Sequence, residues 1–102
     1  MTKFLIDKTS NIPEGMLRNI TIGGKEILVL NQRGRYFAIN NICSHAGAEL
    51  HEGTLKNKEL TCPWNGAKWN IETGELLWFS KELKNQESYR VIVENNNVFV
   101  EI

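Results

Sequence analysis

The sequence has few of the residues that would assign it to a specialised protein class. It contains two cysteines, two prolines and two histidines among 102 residues, and its 12 basic side chains equal its 12 acidic ones. Without a block of basic charge, neither nucleic acid nor a membrane surface is expected as a partner. No apolar run has the length of a signal peptide or a membrane span, so we expect a cytoplasmic protein. The length fits a single domain over residues 1–102.

The two cysteines stand in two short segments of similar composition. Cys43-Ser44-His45 is followed, after sixteen residues, by Cys62-Pro63-Trp64-Asn65. Thiolate and imidazole donors in two facing arms are typical of a metal site. A disulfide between the cysteines is an alternative, although two cysteines do not form the dense framework of small secreted domains.

Short apolar and polar alternations separated by turn signals predict an all-β chain. Gly23-Gly24 predicts a tight hairpin turn, Gln32-Arg33-Gly34 a second hairpin loop, and the polar run after Leu55 a further turn. A short helical turn is expected only at Ser80–Asn85. The predicted strands are Lys3–Ile6, Leu17–Ile22, Lys25–Leu30, Arg35–Asn40, Glu59–Thr61, Ala67–Ile71, Tyr89–Glu94 and Val98–Ile102.

The two arms and the residues around them resemble the Rieske ferredoxin family of small electron carriers that serve oxygenases. The resemblance rests on Cys43–Leu50 with Gly53, on Cys62-Pro63-Trp64 with Gly66, and on Thr73-Gly74. It implies a Rieske (ISP-like) fold, in which an antiparallel β-sandwich or barrel base carries an inserted cluster-binding subdomain of about residues 40–78. It also implies a one-electron carrier between a ferredoxin reductase and a terminal oxygenase, with no small-molecule substrate and no catalysis of its own.

The resemblance further implies a ligand set for a 2Fe-2S cluster. Cys43 and Cys62 would hold the inner iron, and His45 would bind the outer iron. Two thiolates and neutral imidazole leave such a cluster less negative than four thiolates would, which raises its reduction potential.

Three other residues of the arms are expected to contribute to cofactor binding. Gly47 and Gly66 would let backbone amides approach the sulfides, and Trp64 would cover the cluster. Trp69 is expected to serve in packing. For Trp78 two alternatives remain open: with Phe79 it packs over the cluster in place of the proline-containing loop that the family usually has there, or the site is more open than usual.

Asn65 stands where the family places its second histidine, and three alternatives remain open. Asn65 itself, a water or a neighbouring side chain completes an altered outer-iron ligand set. Otherwise the site is empty, and the protein is a cluster-free or metal-depleted Rieske-fold module resembling the nitrite reductase small subunit. In the third alternative, zinc is bound by Cys43, His45 and Cys62, with His51 as the fourth ligand.

Overall fold

The structure, a computed structural model, describes residues 2–43, 47–80 and 82–102. These residues form ten β-strands and two short 3₁₀ helices, and no α-helix is found among them, which confirms the predicted all-β class. No helix in these ranges is long and apolar enough to cross a membrane. The strands are β1 Lys3–Lys8, β2 Leu17–Ile22, β3 Lys25–Gln32, β4 Arg35–Asn40, β5 Thr54–Lys56, β6 Glu59–Thr61, β7 Lys68–Asn70, β8 Leu76–Trp78, β9 Ser88–Glu94 and β10 Asn97–Glu101, and the 3₁₀ helices are Thr9–Asn11 and Leu50–Glu52.

Six strands form one antiparallel sheet in the order β1-β10-β9-β4-β3-β2. The ion pair between Arg18 on β2 and Asp7 near the end of β1 shows that these two edge strands approach each other. The sheet is therefore barrel-like. Its interior is apolar and is built around Ile12, Ile27, Val29, Ala38, Val98 and Val100.

The other four strands form a smaller antiparallel sheet in the order β5-β6-β7-β8. In sequence this sheet lies between β4 and β9, and those two strands pair with each other through Ala38 with Tyr89 and Ile39 with Ser88. The chain thus leaves the six-stranded sheet at the end of β4, builds the smaller sheet and returns beside the strand that it left.

Strand β3 connects the two parts because both of its faces are buried. Ile27 and Val29 pack in the barrel interior, whereas Leu28 and Leu30 pack in a second core with the smaller sheet. This explains why Ile27 to Leu30 form an unbroken apolar run, since a strand covered on both sides has no solvent-facing positions. The second core also contains both cysteines.

The predicted strands are present, with small changes at their ends, and two short strands were missed. Lys56 pairs with Glu59 across a two-residue turn, where the positive φ of Asn57 (55°) makes a tight hairpin possible, so β5 replaces part of the turn expected after Leu55. β8 was missed because only three residues extend along β7. The helical turn expected at Ser80–Asn85 is wrong for the described residues of that segment, which are extended or irregular.

Candidate metal centre

Two loops with the same hydrogen-bonding pattern carry the two cysteines. In the first loop, the backbone N–H of Cys43 donates to the carbonyl oxygen of Ala48 at 2.8 Å. In the second, the N–H of Cys62 donates to the carbonyl oxygen of Ala67, also at 2.8 Å. Each loop is thus closed between a cysteine and the alanine five residues later, and both cysteines belong to the same buried core.

A glycine stands at the equivalent place in each loop. Gly47 and Gly66 have φ angles of 72° and 76°, and their N–H groups donate to the carbonyl oxygens of Cys43 and Cys62 at 3.0 and 3.1 Å. Among the described residues, a Cβ added at either glycine would meet no atom within 4 Å, and the left-handed backbone itself favours glycine here. The predicted approach of these amides to sulfides stays a prediction.

The structure places the two thiols next to each other. Cys43 and Cys62 are each 2% exposed and both are free, so the alternative of a disulfide between them is wrong. Burial raises the pKa of the Cys62 thiol, and the neighbouring Cys43 raises it further, while the backbone N–H groups of Trp64 and Asn65 oppose this by hydrogen bonding to the thiol. Two adjacent buried thiols with amide donors around one of them fit the cysteine half of a 2Fe-2S ligand set.

Asn65 lies beside the cysteines, but both of its side-chain polar atoms have partners. Its Oδ1 accepts a hydrogen bond from the N–H of Ala67 at 2.9 Å, and its Nδ2 lies 3.9 Å from the Sγ of Cys43. The structure thus brings Cys43, Cys62 and Asn65 together. The carboxamide oxygen of Asn65 is engaged by the backbone of its own loop, and its role as a metal ligand stays a prediction.

The two histidines are in different situations. His45, the predicted ligand of the outer iron, lies outside the described residues. The Nδ1 of His51 lies 3.1 Å from the Nδ2 of Asn41, and the backbone N–H of His51 donates to Asn41 Oδ1 at 2.8 Å. Within the described ranges, no three His, Cys, Asp or Glu side chains are grouped as a metal ion requires, so the structure does not bring His51 to the cysteines as the zinc alternative needs.

The three tryptophans differ sharply in exposure. Trp69 is fully buried, as predicted for packing, whereas Trp64 and Trp78 are 68% and 56% exposed. The backbone N–H of Trp64 is directed at the Cys62 thiol, whereas its side chain is largely exposed, and the predicted cover over a cluster stays a prediction. Trp78 packs edge-on against Phe79, with their ring centroids 6.3 Å apart, and Phe79 packs against the core that contains the cysteines.

One residue that helps to position the first loop was not found from the sequence. The side chain of Gln86, 4% exposed, donates to the carbonyl oxygens of Asn40 and Ile42 at 2.9 and 2.8 Å. It therefore fixes the backbone that leads into Cys43. A single glutamine in a polar, non-periodic segment gives no local signal of such a role.

Comparisons with known proteins agree with this geometry. The sequence model of the Rieske 2Fe-2S domain matches residues 2–99. The ferredoxin component of the naphthalene 1,2-dioxygenase system of Pseudomonas aeruginosa is 30% identical over 100% of this chain and 99% of its own length. The solved ferredoxin of carbazole 1,9a-dioxygenase from Nocardioides aromaticivorans IC177 superposes with a TM-score of 0.91 at 24% identity, covering 98% of this chain and 97% of that one. A ferredoxin solved in complex with the reduced oxygenase of carbazole 1,9a-dioxygenase superposes with a TM-score of 0.89 at 25% identity, over 96% of this chain and 100% of that one. The predicted Rieske fold is confirmed, and the chain belongs to the Rieske 2Fe-2S domain family.

Proposed function

We propose that this chain is a Rieske-type ferredoxin, a one-electron carrier that receives electrons from a ferredoxin reductase and delivers them to a terminal oxygenase. The observation that carries the proposal is the adjacency of two buried, free thiols on two loops of equivalent hydrogen bonding. It is supported by the full-length similarity to a protein described as the ferredoxin component of a dioxygenase system.

In this proposal Cys43 and Cys62 bind one iron of a 2Fe-2S cluster and His45 binds the other. The bound cluster would supply a one-electron couple. The N–H groups of Trp64 and Asn65 would stabilise the thiolate of Cys62, because hydrogen bonds to a charged sulfur favour the charged form. The contribution proposed for Trp64 thus comes from its backbone.

The proposed cluster-binding subdomain, about residues 40–78, is held firmly on the barrel base. The face of β3 that carries Leu28 and Leu30 packs beneath it, and Gln86 donates to the backbone carbonyl oxygens on both sides of Asn41. A rigid support suits an electron carrier, because a site built on packed elements keeps its geometry when its charge changes.

The surface around the two loops is suited to approach by another protein. Gly47, Pro63 and Trp64 are exposed while the cysteines beneath them are buried. A partner can therefore come close to the site without opening the fold, and the transfer of an electron requires no substrate pocket. We include a cytoplasmic location in the proposal, since reducing compartments preserve free cysteines such as these.

The proposal is tested by metal analysis of the purified protein and of two serine variants. We expect about two irons and two acid-labile sulfides per chain, with visible charge-transfer absorption, as a 2Fe-2S cluster requires. Cys43→Ser and Cys62→Ser should lose this absorption while they retain the circular dichroism of a β-protein, and Ser80→Ala, at an exposed position outside both loops, should keep both.

Two results would contradict the electron-carrier proposal. A wild-type protein that stays colourless and free of iron after anaerobic reconstitution would indicate a cluster-free module of the kind that resembles the nitrite reductase small subunit. One equivalent of zinc that is retained during reconstitution with iron and sulfide would indicate the zinc alternative.

A further inference from the structure

We infer that Asn65 is a positioning residue and not a metal ligand, so that the second loop contributes one ligand, Cys62. The inference rests on the proposed function in that it concerns how the chain holds a cluster. It assigns the carboxamide of Asn65 two contacts, one that closes its own loop and one that reaches the sulfur on the opposite loop.

The first contact fixes the orientation of the carboxamide. The N–H of Ala67, 2.9 Å away, can only donate, so the atom that faces it must be the oxygen of Asn65. The amide nitrogen is consequently the atom on the other side, 3.9 Å from the Sγ of Cys43. That nitrogen carries two hydrogens and no free electron pair with which to bind a metal.

Turning the oxygen of Asn65 away from its loop would leave a buried donor without its acceptor. Ala67 is fully buried, and its N–H donates to this oxygen at 2.9 Å. A neutral amide oxygen is also a poor ligand for iron in a site built of thiolates, whereas it is a good acceptor for a backbone N–H. The hydrogen bond to Ala67 is therefore the more favourable use of this oxygen.

The chain uses asparagine in the same way at two places that are not among the predicted metal ligands. Asn40 Oδ1 accepts the N–H of Ile42 at 2.7 Å, and Asn70 Oδ1 accepts the N–H of Glu72 at 2.8 Å. Like Asn65, each binds the N–H of the residue two positions ahead, the contact of an Asx-turn. The bond made by Asn65 thus has two counterparts in this molecule that need no metal to explain them.

The second contact gives Asn65 an influence on the site without ligation. An N–H group directed at a ligating sulfur withdraws negative charge from it, and hydrogen bonds to the sulfurs are among the factors that set the reduction potential of iron-sulfur proteins. Loss of this donor should make the potential more negative. Because the contact joins residues on different loops, it also helps to hold the two cysteine loops at a fixed distance from each other.

The first experiment uses the metal-free, thiol-reduced protein, in which ligation plays no part. Asn65→Ala should lower the melting temperature by about 4 °C or more, because the buried N–H of Ala67 loses its acceptor. Asn65→Asp, which retains an acceptor oxygen, should recover most of the loss. Asn70→Ala is the matched control, because it removes an equivalent Asx-turn hydrogen bond at a side chain that bonds to no cysteine of the described residues. Its melting temperature should fall by a similar amount. An unchanged melting temperature in Asn65→Ala would overturn the inference.

The second experiment uses the reconstituted protein and Asn65→Ser. A serine hydroxyl can still accept from the N–H two residues ahead, but it is too short to contact the sulfur of Cys43. We expect unchanged iron and sulfide content, unchanged g values in the electron paramagnetic resonance spectrum of the reduced protein, and a more negative reduction potential. Asn65→His, which adds an imidazole donor, should change the g values and thereby demonstrate that a new ligand at this position is detectable.

The outcomes separate this inference from the proposed function. Loss of iron or altered g values in Asn65→Ser would identify Asn65 as a ligand and overturn the inference, while the wild-type cluster still supported an electron carrier. A wild-type protein that binds no iron would overturn the proposed function. The melting temperatures of the metal-free variants would still decide whether the oxygen of Asn65 is engaged by Ala67.

Discussion

Arg18 Nη1 donates to Asp7 Oδ2 and thereby joins β2 to β1, the two edge strands of the six-stranded sheet. The pair is half-buried, with the side chain of Asp7 21% exposed and that of Arg18 36% exposed. An open sheet edge offers unpaired backbone groups to other chains, and a polar contact across the opening is one way to protect it. The contact therefore contributes to the barrel-like shape of the base on which the cysteine loops stand.

The stability of the protein should depend on the ionisation of Asp7. Hydrogen bonds from the side chain of Asn11, from the backbone N–H of Lys8 and from Arg18 lower the pKa of Asp7 from 3.8 to about 2. Because the folded pKa lies below the unfolded one, the stabilisation is present well above pH 3.8 and is lost progressively as the pH falls through 2. Urea unfolding between pH 2 and pH 6 should therefore show a steeper acid loss in the wild type than in Asp7→Asn.

The control for this prediction is Glu94→Gln, which removes the exposed ion pair with Lys3 on the outer side of the same sheet. Exposed pairs contribute little, so its unfolding curve should follow that of the wild type across the same pH range. If Asp7→Asn and the wild type lost stability in parallel on acidification, the ionisation of Asp7 would not contribute to the stability of the fold.

His51 should matter for stability and not for metal binding. Asn41 is fully buried, and its Nδ2 faces the Nδ1 of His51, so His51→Ala leaves that amide without its side-chain partner. We expect the free energy of unfolding to fall by about 1–3 kcal/mol, with the iron content of the reconstituted protein unchanged. A loss of iron that exceeds the loss of folded protein would instead identify His51 as a substitute ligand.

Much of the fold could be predicted from local sequence because its hairpins depend on local residues. Gly23-Gly24 forms the predicted turn, with φ angles of 55° and 81°, and the strands on either side of it were located within two residues. The short strands of the smaller sheet were harder to predict. β8 has only three residues, and its position depends on pairing with β7 and on Asn85, whose Oδ1 accepts the N–H of Leu76 at 3.0 Å.

The candidate site could be predicted in composition but not in detail. The spacing of Cys43 and Cys62 was sufficient to indicate paired loops, since both cysteines stand at the start of a segment that ends in Gly-Ala. The contact of Asn65 with Cys43 and the contacts of Gln86 were not predictable, because each joins residues more than twenty positions apart. Side-chain amides have no periodic pattern that announces such partners.

Gly66→Ala tests whether the second loop depends on its left-handed residue. The φ of 76° is unfavourable for alanine, and an added Cβ would meet no atom of the described residues within 4 Å, so the cost should come from the backbone, at about 1–2 kcal/mol in chemical unfolding. Gly66→Asn should cost less, because asparagine enters the left-handed region more readily. Equal losses for the two variants would indicate a steric role for the glycine in place of a conformational one.

Trp69 and Trp64, five residues apart, provide a matched test of how exposure determines energetic contribution. Trp69 is fully buried in the core that contains the cysteines, so Trp69→Ala should lower the free energy of unfolding by about 3–5 kcal/mol through lost packing and a cavity. Trp64→Ala removes a side chain that is 68% exposed and should change the free energy of unfolding by less than about 0.5 kcal/mol. Trp69→Phe should give an intermediate loss of unfolding free energy, because phenylalanine retains part of the buried ring. Its missing indole Nε1 breaks no hydrogen bond, since this atom has no partner in the described part of the chain. Urea unfolding of the metal-free variants measures all three, and a large loss in Trp64→Ala would mean that its indole packs on the loop.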